Sequence, residues 1–173
     1  MEPIRSENPL HEAFLPVVQE QVARHVASQG LAQVENYLTT LLVEFAHTDR
    51  LYAVRDADGR PVTTVSEMVA QGDVRLHAES FTREREVHKH IGDFLLFWGG
   101  VYPDHLQRLR LAGGHELVCD YRRQGEASYH LVSTFSHPPY DTEAPLFRQL
   151  SDGFSDFTFV LAQVGRHVGL RVH

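Results

Sequence analysis

Apolar residues recur at steps of three and four along most of the chain. After Asn8-Pro9, the positions Phe14, Val18, Val22 and Val26 repeat until Gly30, which predicts a helix opened by an asparagine cap with proline at its first position. Pro16 falls inside this pattern and predicts a kink or a restart. A second stripe, Val34, Leu38, Leu41, Leu42 and Phe45, carries Tyr37 at its side and predicts a helix over 31–49. The last stripe is the most regular. Phe147, Leu150, Phe154, Phe157, Leu161, Val164 and Val168 alternate their spacing without a fault, and Leu146, Gly153 and Val160 widen the face. That width predicts a bundle core, with a homodimer contact through the 147–168 helix as the alternative use of the same face.

Between these stripes the signals are shorter. Two runs rich in Val, Thr and Tyr flank Asp56-Ala57-Asp58-Gly59 and predict a β-hairpin near 51–65. Ser66 opens a short helix ending near Gly72, and Ser80 or Thr82 caps a longer one with Val87, Ile91, Phe94 and Trp98 on one face and Gly99-Gly100 as its stop. A shorter helix is expected over 103–111, then Gly113-Gly114, then a helix from near His115 bearing Leu117, Tyr121, Gln124, Ser128, Leu131 and Phe135. His137-Pro138-Pro139-Tyr140-Asp141 ends it. The expected fold is mainly α, a single-domain multi-helix bundle over 1–173 with about five or six principal helices and one short β-hairpin.

Composition narrows the function. With 173 residues, 42% hydrophobic and 23% charged, the chain can bury one real core. Its net charge of -7 gives no electrostatic footprint for nucleic acid or an anionic membrane; the only local basic cluster is Arg108, Arg110, Arg122 and Arg123, which reads as exposed charge pairing. The longest apolar run, 94–101, includes two glycines and falls far short of the roughly 20 residues a membrane span needs. Cys119 is the single cysteine and the first residues carry no signal-peptide pattern, so a reducing cytosol is expected. Lys89 is the one lysine beside fifteen arginines, a bias that suggests a GC-rich bacterial genome.

Chemistry concentrates in 83–100, Arg-Glu-Arg-Glu-Val-His-Lys-His-Ile-Gly-Asp followed by an aromatic run. On a helix His88 and His90 stand about 200° apart and cannot chelate one ion. Helical spacing instead groups Glu86, His90 and Asp93 on one flank, a set that could hold a divalent metal or a histidine of raised pKa; Glu84 and His88 pair on the other flank. The plainer reading is a solvated edge. Further ligands would have to come from another helix, with Glu44 or His130 as candidates. Glu44-x-x-His47 is the only dimetal-type spacing on a firm core helix, and such bundles need two. The His11-Glu12 and His115-Glu116 pairs lack a zincin's second histidine, and His115 with Cys119 does not fill a zinc shell. Asp56-Ala57-Asp58-Gly59 lacks the remaining calcium-loop ligands, and Gly153-Phe154-Ser155-Asp156-Phe157 lacks the second glycine of a hydrolase elbow. No phosphate loop is present, so no cofactor is required by the sequence.

A polar row, Tyr121, Gln124, Ser128 and Tyr129, runs beside Gly125, where a close helix approach is possible. It reads as a hydrogen-bonded seam between helices, or as one wall of a pocket whose aromatic side would be Trp98 and Tyr102. The expected function is a non-catalytic binding or regulatory module of a bacterial cytosol, with a protein or small molecule as partner. The alternative is a metal- or haem-binding bundle, open to an oxidoreductive role, using His90 with Glu86 and Asp93.

Overall fold

The computed structural model describes residues 8–45, 58–60, 65–72, 80–104, 106–107 and 120–170. Seven helices of eight residues or more lie among them. They are α1 (Pro9–His25), α2 (Ala32–Phe45), α3 (Val65–Gly72), α4 (Phe81–Val101), α5 (Tyr121–Ser133), α6 (Ala144–Asp152) and α7 (Phe154–Val168). The expected hairpin falls mostly on 51–57 and 61–64, outside the described residues; the part that is described, 58–60, is a turn with Gly59 at φ 77°, and no strand is present among the described residues.

The helix starts follow from side-chain caps. The Asn8 side chain accepts from the Leu10 amide at 3.1 Å, Ser80 Oγ from the Arg83 amide at 3.1 Å, and Asp120 Oδ1 from the Arg123 amide at 3.1 Å, each satisfying one of the orphan donors of a first turn. The Asp120 cap corrects the expected start near His115, because an extended residue with its side chain folded onto the first turn opens α5 at Tyr121. Pro16 lies within α1 without ending it.

Helix α4 is the centre of the fold and packs against α2, α3, α5 and α7. From Ile91 to Trp98 every residue is buried, so the helix meets protein on all sides rather than presenting one apolar stripe. This is why Gly99-Gly100 does not stop it. A Cβ on Gly100 would stand 2.7 Å from Leu161 Cβ and 2.9 Å from the Thr158 carbonyl oxygen; the glycine lets α4 and α7 touch, and the helix continues to Val101. Gly125 serves the same purpose between α5 and α7, since the Phe154 ring lies where its Cβ would be, 2.3 Å from Cζ.

The final stripe is buried as one continuous face: Phe147, Leu150, Phe154, Phe157, Leu161 and Val164 all belong to the core. The expected single 147–168 helix is two helices, however. Gly153, at φ -102° and ψ 16°, closes α6 and opens α7, while its amide still reaches the Gln149 carbonyl at 3.0 Å and its carbonyl receives the Phe157 amide at 2.9 Å. Phe157 packs on this glycine, its Cε2 2.7 Å from where a Cβ would sit. The hydrophobic repeat survives because hydrogen bonding crosses the junction almost in helical register. Gly169 ends α7 in the left-handed region at φ 71°.

Gly100→Ala is expected to destabilise the fold by roughly 1–3 kcal/mol, as overpacking against backbone does, lowering Tm by several degrees. Thermal unfolding monitored by circular dichroism checks this; an unchanged Tm would mean that α4 and α7 are further apart than described.

Candidate functional site

The chemistry of 83–100 resolves into three separate environments. Asp93 is buried within the bundle; His90 is half-buried, its ring stacked on Phe45 at 6.0 Å and 23°; Glu86 is exposed. The flank predicted from spacing therefore spreads apart radially, because only its last member reaches the bundle interior. Among the described residues no group of three His, Cys, Asp or Glu side chains converges. Glu44 and His130 are both exposed.

Asp93 gathers its partners from three helices. Its Oδ1 accepts the Tyr37 hydroxyl from α2 at 2.5 Å and the Tyr129 hydroxyl from α5 at 2.7 Å, and its Oδ2 accepts Lys89 Nζ, one turn back on α4, at 3.1 Å. Taking a carboxylate out of water costs several kcal/mol, and hydrogen bonds to a charged group return roughly 1.5–3 kcal/mol each. Three such donors offset the burial; one would not. Phe147 packs on both phenol rings, its centroid 5.5 Å from that of Tyr37 and 5.8 Å from that of Tyr129. Gly92 lets Tyr129 in, since a Cβ there would be 2.5 Å from its ring.

Burial, followed by the charge of Asp93, raises the pKa of Tyr37 and of Tyr129 well above the ordinary 10.0. Both act as neutral donors. A second polar link joins α4 to α5, where Ser128 Oγ meets His88 Nδ1 at 3.1 Å and accepts from Gln124 Nε2 at 3.0 Å. A third lies one turn before Lys89 on α4: Arg85 is buried, pairs with Glu143 at 2.7 Å and stacks on Tyr140 at 4.2 Å, while its Nε finds no hydrogen-bond acceptor among the described residues.

The polar row of α5 thus divides. Gln124, Ser128 and Tyr129 form the interhelical seam, whereas Tyr121 turns to a recess between α4, α5 and α7. This recess encloses about 210 Å³ and is partly open to solvent. Leu95 and Gly99 supply its α4 wall, Tyr121 and Arg122 its α5 edge, and Phe154, Ser155 and Thr158 its α7 wall, with Leu106 closing one side. None of the Asp93 cluster lines it. Trp98 and Tyr102 are elsewhere, packed on each other at 5.3 Å and on Phe97. A more open groove of about 350 Å³ lies beside Phe81, Phe135, Pro138 and Tyr140.

Helical spacing carries no sign that His88 is buried or that the two tyrosines are partners of Asp93. One signal was available: an aspartate inside Ile91-Gly92-Asp93-Phe94-Leu95-Leu96-Phe97-Trp98 must find donors when that run is buried. Comparison with known proteins gives no match, whether to a family model, a curated protein or a solved structure.

Tyr129→Phe is expected to cost about 1.5–3 kcal/mol of unfolding free energy, and Tyr37→Phe with Tyr129→Phe should be non-additive, since both donate to one oxygen; denaturant titration of the four-protein cycle checks this. The raised phenol pKa values also fix a pH dependence. In the unfolded chain these tyrosines lose their protons near 10.0, while the folded chain holds them, so the unfolded state binds fewer protons and stability falls as pH rises above that value. Absorbance at the tyrosinate band should reveal at least two tyrosines that ionise only together with alkaline unfolding; their free titration in folded protein would contradict the cluster.

Proposed function

We propose that this chain is a non-catalytic helical binding module of a bacterial cytosol, and that the recess between α4, α5 and α7 is where its small-molecule partner sits. The observation that carries this reading is a division of space. Among the described residues, the groups Asp93, Tyr37, Tyr129 and His88 in the interior are engaged with one another or with Lys89 and Ser128. The recess that a molecule could enter is lined by apolar and hydroxyl side chains with one guanidinium. A concave apolar site with a few polar groups at its edge is the usual form of a small-molecule site. The alternative, a metal- or haem-binding bundle through Glu86, His90 and Asp93, would have to draw Asp93 away from two phenols and an ammonium, and so has less support.

Amide correlation spectra of labelled protein, recorded against a panel of small apolar and amphipathic molecules, test the reading. Shifts are expected to cluster on the end of α4, the first turn of α5 and the start of α7. Shifts centred on Tyr37, Asp93 and Tyr129, or stoichiometric metal or a visible absorption band lost in His90→Ala, would transfer the weight to the alternative.

A further inference from the structure

The glycines of α4 carry information about this recess. Glycine inside a helix weakens it relative to alanine, so each one invites a reason. Gly92 and Gly100 have theirs in Tyr129 and in the α7 backbone, both closer than 3.0 Å to the missing Cβ. Gly99 does not: a Cβ there would meet Leu106 Cδ1 at 3.6 Å and Thr158 Cγ2 at 3.7 Å, ordinary contact distances. What its missing side chain leaves open is the wall of the recess.

Size and charge then narrow the occupant. A dry apolar cavity of about 150 Å³ accepts benzene, and the recess encloses about 210 Å³. The hydroxyl of Thr158 is already given to the Phe154 carbonyl at 2.8 Å. Among the described residues, Arg122 is the one charged side chain in the lining. It makes no ion pair among the described residues, whereas the adjacent Arg123 has Asp120 at 3.6 Å. A guanidinium at the mouth of an apolar recess is matched by a carboxylate on an apolar body.

We propose that the recess binds a small monocarboxylate with an aryl or short alkyl body, its carboxylate on Arg122 and its body against Leu95, Gly99 and Phe154. This rests on the recess being the binding site and adds the charge and size of the ligand. Calorimetric titration of the full chain with 3-phenylpropionate and with 3-phenylpropionamide tests it, in the wild type, Arg122→Gln and Gly99→Ala. The wild type is expected to prefer the acid. Arg122→Gln should weaken the acid by about threefold, the range of an exposed ion pair, and leave the amide unchanged. Gly99→Ala should weaken both probes without lowering Tm, because its methyl fits beside its neighbours while narrowing the recess. Equal binding of acid and amide by the wild type, or an Arg122→Gln variant that binds the acid as before, overturns the anionic assignment and leaves the recess intact as a site. Failure of the wild type to bind either probe, or unchanged binding of both by Gly99→Ala, overturns the assignment together with the recess.

Discussion

A helix enclosed by protein on all sides must let its neighbours come close and must satisfy whatever polar groups it carries inward. Helix α4 meets both demands, and the rest of the bundle is arranged around how it does so. Gly100 brings α7 to backbone contact, and Gly92 admits the Tyr129 ring. The same Tyr129 then answers the second demand, donating to Asp93 one residue along from the glycine that made room for it. Tyr37 approaches from α2, and Phe147 of α6 packs on both phenol rings. Three helices are thus tied to a single carboxylate, with α6 packed against two of its donors. Its energetic role is asymmetric: a fully paired buried charge adds little net stability, but losing a partner exposes the full cost of the others.

This arrangement separates rigidity from access. The polar groups are spent on holding α2, α4 and α5 together, and the recess opens further along α4, beside Leu95, Gly99 and Phe154. Phe154 belongs to both regions, since it packs on Tyr129 at 5.9 Å and lines the recess. A molecule in the recess would therefore press on a side chain that touches the polar cluster, with no polar group of that cluster having to move.

Much of the architecture was legible in the sequence because long amphipathic periodicity survives local irregularity. The stripe from Phe147 to Val168 identified a core face correctly even though Gly153 divides it, since a single residue off helical geometry scarcely disturbs the facing of its neighbours. The Asn8 and Ser80 caps and the close approach at Gly125 were legible for a similar reason: each is a local rule with a local cause. Gly99-Gly100 misled because the same residue type serves a helix stop and a helix crossing, and only the neighbour across the gap distinguishes them. The candidate site was less legible. Spacing along one helix placed Glu86, His90 and Asp93 on a common flank, but depth in the bundle depends on the other helices, and the partners of Asp93 lie 56 and 36 residues away in the chain. No periodicity encodes that meeting.

Trp98 is the only tryptophan of the chain, and it is buried among Phe94, Phe97 and Tyr102. Tryptophan emission thus comes from one indole, next in sequence to the glycine that lines the recess and on the central helix of the bundle. The wavelength of that light serves as a single-point gauge of how dry the middle of the molecule is, and it belongs to one place rather than to an average over many.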